Sequence, residues 1–123
     1  MRAFHGTTSV NAISIIREGF SLDFFLRGGL GKGIYLSKDV DKCAEYGRHI
    51  LKVELNEECI LKDEFASISS YKPKESYSGF NFDNKFEGYT LSRGFKGLEL
   101  TTFNEIVIYD LSCITSIETY AIR

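Results

Sequence analysis

The 123-residue sequence has no tryptophan, only one proline, and no apolar run close to the roughly 18 residues of a membrane-spanning helix. Its N-terminus lacks the apolar region of a signal peptide. It also lacks low-complexity tracts, so its composition is not that of a disordered chain. We therefore expect a soluble cytoplasmic protein that does not engage membranes, although delivery to another cell is compatible with the sequence.

The chain also has a small net charge and too few cysteines for a disulfide framework. Fifteen basic and seventeen acidic residues leave a net charge of −2, so the strongly basic surface of many nucleic-acid-binding proteins is missing. Cys43, Cys59 and Cys113 cannot all pair within one chain and form no Cys-x-x-Cys motif, which favours reduced, packed thiols. With 43% hydrophobic residues, the chain can bury a core, and we expect one domain over residues 1–123.

The spacing of apolar and turn residues predicts many short strands and two early helices, which favours an α+β fold. Residues 63–87 are polar, aromatic and irregular, so we expect mostly loop there. The strands are predicted at residues 2–5, 34–37, 50–55, 88–92, 97–103, 105–110 and 114–122.

Capping residues define the predicted helices. Ser9 can cap the first helix and Gly19 can end it, while Asp39 and Gly47 do the same for the second. The first helix is expected to bury an apolar face of Val10, Ile13 and Ile16, widened by Ala12 and Ile15. The predicted core includes Ile13, Ile16, Ile34, Leu36, Val53, Leu55, Val107 and Ile108.

Two local motifs have ordinary structural explanations when taken alone. A histidine such as His5 at a strand end is more often a hydrogen-bonded structural residue than a functional one. Gly31-Lys32-Gly33 superficially resembles a phosphate-binding loop, but no Ser or Thr follows the lysine, and a strand rather than a helix comes next. We therefore interpret this segment as a turn before a strand.

The acidic motifs are equally ambiguous in isolation. Asp39 and Asp41 lack the later ligand positions of a calcium loop, so capping and solvation explain them better, and we predict no metal site. Glu105 begins an apolar strand, where a carboxylate is either an exposed rim residue or a functional group. A Cys43 nucleophile paired with His5 or His49 has no supporting local signature.

In combination and in this order, the motifs resemble the catalytic domain of ADP-ribosyltransferases of the poly(ADP-ribose) polymerase and diphtheria-toxin type. The similarity covers residues 4 to about 113. It rests on His5-Gly6, Gly31-Lys32-Gly33-Ile34-Tyr35, a second tyrosine at Tyr46, and Asn104-Glu105. The resemblance implies a split β-sandwich of two small sheets, with NAD bound as substrate in the cleft between them.

The resemblance also implies roles for individual residues. Tyr35 and Tyr46 are expected to sandwich the nicotinamide ring, and the Gly6 backbone to bind its amide. His5 is expected to hold the adenine-side ribose, with Thr7 as a further ribose contact. Glu105 is expected to stabilise the positive charge that develops on the ribose, so the implied catalytic residues are Glu105, His5 and Tyr35.

Two positions depart from the family pattern. Cys43 stands where the polymerases carry a serine that binds the nicotinamide amide, so Cys43, Ser37 or a backbone group is expected to make that contact. Phe103, two residues before the glutamate, replaces the acidic or amide residue of arginine-modifying toxins, which disfavours arginine as the acceptor. We expect transfer of a single ADP-ribose to a macromolecule, protein or nucleic acid, with residues 63–103 on the acceptor side.

Other functions remain open at this level. An NAD glycohydrolase would use the same residues with water as the acceptor. RNA 2′-phosphate removal would need basic residues, for which Arg2, Arg17, Arg27 and Lys32 are available, but the His-Tyr-Tyr-Glu set favours the transferases. A non-catalytic NAD or ADP-ribose binding module would not require Glu105. A small toxin or effector with a cognate inhibitor is one form that the transferase can take. The remaining alternative is a small structural domain whose motif matches arose by chance.

Overall fold

The computed structural model describes residues 1–71 and 84–123 as an α+β fold. Short strands form two sheets, and four short helices lie beside them within these ranges. The helices are α1 (Ser9–Glu18), α2 (Val40–Cys43), α3 (Phe65–Ser69) and α4 (Lys85–Ser92). The strands are β1 (Arg2–Thr7), β2 (Leu26–Gly28), β3 (Gly31–Leu36), β4 (His49–Leu55), β5 (Ile60–Lys62), β6 (Gly97–Leu100), β7 (Glu105–Ile108) and β8 (Ile114–Ile122).

The first sheet has three antiparallel strands in the order β1-β4-β8. The second has five strands in the order β2-β3-β7-β6-β5, and is antiparallel except for the pair β5 and β6. The prediction of two small, mostly antiparallel sheets is therefore confirmed. Strands β2 and β5, of three residues each, were not predicted, and β6 ends at Leu100 because a 3₁₀ turn follows it.

A two-residue bridge links the sheets where the first and third strands approach each other. Phe4 and Ser37 exchange both backbone hydrogen bonds, at N···O distances of 2.8 and 3.0 Å. This contact places the end of β1, with His5 and Gly6, beside the end of β3, with Tyr35 and Leu36.

The five-stranded sheet has an apolar cluster on each face, because alternate residues of a strand point to opposite faces. Ile34 and Ile106 belong to the cluster shared with α1 and the three-stranded sheet. Val107 and Leu98 belong to the cluster beneath α3 and α4. Of the predicted core, six residues are buried: Ile34, Leu36, Val53, Leu55, Val107 and Ile108.

The predicted buried face of α1 is confirmed for Ala12 and Ile15 and wrong for Val10, Ile13 and Ile16. Ile13 is 63% exposed and Ile15 fully buried, so the helix packs through Ala12 and Ile15, while Val10 and Ile16 are also exposed. The N-cap is Thr8 rather than Ser9, since the Thr8 hydroxyl accepts from the Asn11 N–H at 3.2 Å. Gly19 ends the helix as predicted, with a φ of 82°.

The predictions for residues 63–92 need a second correction. The structure has helix α3 where loop was predicted and helix α4 where a strand at 88–92 was predicted. The Asn84 side chain caps α4 by accepting from the N–H groups of Phe86 and Glu87, and Tyr89 and Thr90 are buried. The rest of the predicted loop, residues 72–83, lies outside the described residues.

The other helix and strand predictions are confirmed except at the end of α2, which stops at Cys43 and passes into a turn over residues 44–46 instead of continuing to Gly47. Asp39 caps α2 by accepting from the N–H groups of Asp41 and Lys42, as predicted. Strands β1, β3, β4, β7 and β8 lie close to their predicted positions. Among the described helices, none has the length and apolar character needed to cross a bilayer.

Candidate active site

A narrow cleft lies where the ends of β1 and β3, helix α2 and the start of β7 meet. Its volume is only about 10 Å³, enough for about one water molecule. Six of the residues singled out in the sequence line it: Gly6, Tyr35, Ser37, Cys43, Tyr46 and Glu105, together with Leu36 and Lys42. The fold therefore gathers into one cleft residues that are up to 99 positions apart in the chain.

Gly6 allows α2 to approach β1 closely. A Cβ built on Gly6 would lie 1.9 Å from the carbonyl oxygen of Cys43 and 3.0 Å from that of Gly47. Since any side chain would collide with the backbone there, only glycine fits. This close contact brings the turn that carries Tyr46 up to the wall of the cleft.

The Tyr35 side chain is held at both its ring and its hydroxyl. The ring packs against Gly28, where a Cβ would lie 2.6 Å from the Tyr35 Cζ. The hydroxyl donates to the Gly31 carbonyl at 2.6 Å and accepts from the Leu30 N–H at 3.0 Å. Burial, together with the nearby Glu105 carboxylate, raises the pKa of Tyr35 to about 12, although the Leu30 hydrogen bond opposes the shift. The ring is thus a fixed, uncharged aromatic wall rather than a base.

Tyr46 forms a second, more open wall. It lies in the turn that follows α2, and 54% of it is exposed. Partial burial raises the pKa of the Tyr46 hydroxyl, and the Glu105 carboxylate adds to the shift. The influence of Glu105 on both tyrosines means that its charge lies close to both rings.

Glu105 is the first residue of β7 and is half-buried. It pairs with Leu100 of β6, and Val107, two residues further along β7, pairs with Tyr35 of β3. Since paired residues and residues two apart share a face of the sheet, the Glu105 and Tyr35 side chains lie on the same face. A carboxylate at a strand end beside an aromatic ring is the arrangement predicted from the sequence.

His5 supports the site from behind the cleft. Its Nδ1 lies 2.9 Å from the Tyr35 carbonyl oxygen, and its ring meets Phe20 edge-on at 5.0 Å between centroids. Burial lowers the pKa of His5 below its usual range, although the Tyr35 hydrogen bond opposes the shift, so the ring is neutral at pH 7. Because a carbonyl only accepts, Nδ1 carries the proton and Nε2 remains an acceptor.

Three of the predicted binding residues are engaged in the fold itself. Thr7 is buried, pairs with His49 and does not line the cleft. The Cys43 thiol donates to the Phe4 carbonyl at 3.1 Å, and burial raises its pKa to about 11. The Ser37 hydroxyl donates to the Asn104 carbonyl at 2.5 Å. The Ser37 hydroxyl, expected to bind nicotinamide, therefore already donates its proton within the protein.

Lys42 and Leu36 line the cleft but were not singled out in the sequence. The Lys42 ammonium donates to the carbonyl of Phe103, two residues before Glu105. Lys42 precedes Tyr46 by four residues, a spacing that places two helical side chains on one face, so this signal was available. Leu36 gives no such signal, because an apolar strand residue next to Tyr35 is ordinary core.

No protein-family model matches this chain, and no curated protein sequence is significantly similar to it. The site is therefore interpreted from its own geometry. Within residues 1–71 and 84–123, no three His, Cys, Asp or Glu side chains are grouped so as to hold a metal ion.

The side chains around the cleft have a chemistry that suits a flat cationic ring next to a carboxylate, although the cleft as it stands would have to widen to admit one. Tyrosine faces attract such a ring through stacking and cation–π contacts, each contributing on the order of 1 kcal/mol. A half-buried carboxylate stabilises positive charge that develops beside it. Cys43, with its pKa near 11, is protonated at pH 7 and is not a nucleophile in this state.

Proposed function

We propose that this protein is an NAD-dependent mono-ADP-ribosyltransferase, with NAD as substrate and a macromolecule as acceptor. The observation that carries the proposal is the convergence of Glu105, Tyr35 and Tyr46 on one cleft beside the bare backbone of Gly6. The two antiparallel-rich sheets, bridged at Phe4 and Ser37, are compatible with the split β-sandwich of these enzymes. We place its activity in the cytoplasm, of its own cell or of one to which it is delivered as a small toxin or effector.

In this proposal the nicotinamide ring binds between Tyr35 and Tyr46. Tyr35 is fixed by its two hydrogen bonds and by Gly28, so this wall is preorganised. Tyr46 is more exposed, so this second wall would take up a fixed position only when substrate binds. Gly6 also lines the cleft, so in this proposal its backbone lies beside the amide group, on the side not occupied by the Cys43 carbonyl.

His5 does not line the cleft itself, but in this proposal it offers an acceptor to a ribose hydroxyl of the part of NAD that extends beyond the cleft. The Tyr35 carbonyl holds the Nδ1 proton, so the neutral ring keeps its Nε2 lone pair. A ribose hydroxyl is a donor that matches this lone pair. The same hydrogen bond ties the ribose-binding residue to the strand that carries the aromatic wall.

Glu105 stabilises the transition state. The bond between nicotinamide nitrogen and ribose carbon breaks, its electron pair moves to the nicotinamide nitrogen, and positive charge develops on the ribose. The Glu105 carboxylate faces that charge. The acceptor then forms a bond to the ribose carbon and releases its proton to Glu105 or water.

The test is nicotinamide release from NAD by the purified protein, with and without cell lysate as a source of acceptor. Glu105→Gln keeps the size of the side chain and removes its charge, so we expect a loss of about 10²–10³-fold in turnover with NAD binding retained. The matched control is Glu58→Gln, at an exposed carboxylate on a turn outside the cleft.

The outcomes separate the candidate functions. Release that needs both lysate and Glu105 supports the transferase. Equal release without lysate replaces it with an NAD glycohydrolase built from the same residues. NAD binding without release, from wild type and Glu105→Gln alike, replaces it with a binding module.

A further inference from the structure

We propose that Ser37 is a positioning residue that sets the orientation of Glu105 through the backbone of Asn104. This inference rests on the proposed function, since it concerns the carboxylate assigned to stabilise the transition state. It assigns Ser37 a different role from the nicotinamide contact expected from the sequence.

Ser37 joins three parts of the site and is only 3% exposed. Its backbone forms both hydrogen bonds of the bridge to Phe4 in β1. Its hydroxyl accepts from the Asp39 N–H at 3.0 Å, at the start of α2, and donates to the Asn104 carbonyl at 2.5 Å. One buried residue therefore connects the strand with His5, the helix before Tyr46, and the residue before Glu105, the last two through its hydroxyl.

Asn104 has a left-handed backbone, with φ of 50° and ψ of 42°. It ends the 3₁₀ turn Thr101–Phe103, and its N–H donates to the Thr101 carbonyl at 3.1 Å. Few residues other than glycine and asparagine adopt this conformation readily. The chain thus reverses at Asn104 immediately before β7 begins.

The bond from Ser37 acts on the peptide unit that joins Asn104 to Glu105. A peptide unit is planar, so the Asn104 carbonyl and the Glu105 N–H and Cα move together. Holding the carbonyl oxygen fixes the rotation of this plane, and with it the direction in which the Glu105 side chain leaves the strand. Lys42 holds the preceding carbonyl, that of Phe103.

An ion pair attaches the segment after β3 to β6. Lys38, next to Ser37, lies 2.8 Å from the Glu99 carboxylate, and Glu99 is almost completely buried in β6. Lys38 therefore holds this segment to β6, while Ser37 and Lys42 hold the chain just before β7. Of these attachments, the Ser37 hydroxyl alone acts on the peptide unit of Glu105 itself.

The experiment compares Ser37→Ala and Ser37→Thr in the NAD reaction, measuring kcat and KM for NAD separately. Because a misplacement of about 1 Å can cost on the order of 100-fold, we expect Ser37→Ala to lower kcat by about 10–100-fold with KM changed less than about twofold. Threonine keeps the hydroxyl and should restore most of kcat. The matched control, Ser92→Ala, removes a hydroxyl that donates to the Tyr89 carbonyl at 2.8 Å outside the cleft, and should leave kcat unchanged.

A second pair of variants tests the backbone directly and remains informative if Ser37→Ala folds poorly. Asn104→Gly retains access to the left-handed conformation, whereas Asn104→Val disfavours it. We expect kcat of the glycine variant to exceed that of the valine variant by at least about tenfold. Equal values in the two variants would contradict control of Glu105 through this residue.

The experiments distinguish a failure of the positioning role of Ser37 from a failure of the proposed function. Wild-type activity that Glu105→Gln abolishes but Ser37→Ala leaves intact would overturn the positioning role and keep the proposed function. A higher KM with unchanged kcat in Ser37→Ala would mean that Ser37 contacts NAD instead. Absence of nicotinamide release from the wild type, with and without lysate, would overturn both proposals.

Discussion

The His5 ring and the Tyr35 carbonyl form a 2.9 Å hydrogen bond that connects the two sheets at the cleft. His5 belongs to the three-stranded sheet and Tyr35 to the five-stranded sheet. The bond defines which ring nitrogen carries the proton and leaves the other as an acceptor. The strand that supplies the aromatic wall thereby also sets the hydrogen-bonding state of the histidine.

The lowered pKa of His5 predicts a pH-dependent stability. Well above its usual value of 6.5, both the folded and the unfolded protein have a neutral His5. As pH falls through that value, His5 binds a proton in the unfolded state but not yet in the folded state. The free energy of unfolding therefore decreases. The decrease continues down to the lower folded pKa, at no more than about 1.4 kcal/mol per pH unit.

The measurement is urea unfolding at several pH values between 7.5 and about 5, for wild type and His5→Asn. The variant removes the titrating ring, so its stability should change less over this interval than that of the wild type. His49→Asn is the control, because it removes the chain's other histidine. If the free energies of unfolding of wild type and His5→Asn changed in parallel with pH, the lowered pKa of His5 would be contradicted.

Gly6→Ala should destabilise the protein strongly. The new Cβ would lie 1.9 Å from the Cys43 carbonyl oxygen, and the backbone must move to accept it. We expect a loss of about 1–3 kcal/mol in the free energy of unfolding, as for other overpacked sites. Gly29→Ala is the matched control, since a Cβ there meets nothing within 4 Å. A comparable effect of both substitutions in urea unfolding would argue against the close contact at Gly6.

Cys43→Ser should be tolerated. Serine keeps a donor for the Phe4 carbonyl, which the thiol reaches at 3.1 Å, and it is a stronger donor than a thiol. We expect the free energy of unfolding to change by less than about 1.5 kcal/mol and nicotinamide release to be retained. Severe loss of activity in a stably folded variant would show that the sulfur has a role of its own.

Ile15→Ala and Ile13→Ala test the packing of α1. Ile15 is fully buried, so its truncation should cost about 2–5 kcal/mol. Ile13 is mostly exposed, and its truncation should change stability by no more than about 0.5 kcal/mol. Thermal unfolding of the two variants checks this directly, and the opposite order would mean that Ile13 rather than Ile15 packs against the core.

Local chemistry explains which parts of the fold were predictable. Alternating apolar residues identified β4 and β8, and the Asp39 side chain identified the start of α2. Helix α4 was missed because its aromatic and β-branched residues favour a strand and the internal Gly88 disfavours a helix. Asn84 followed three residues later by Glu87 was the available signal for a helix start.

The sequence alone determined which residues were predicted to carry the proposed chemistry: two tyrosines, a strand-end glutamate and a His-Gly pair in a fixed order along the chain. The tertiary structure decided which of them share the cleft and which are engaged in the fold, as for the Ser37 hydroxyl. It also decided which face of α1 is buried, because Val10, Ile13 and Ile16 follow the same periodicity as Ala12 and Ile15. Periodicity in the sequence defines the apolar faces of a helix, but packing against the sheets decides which of these faces is buried.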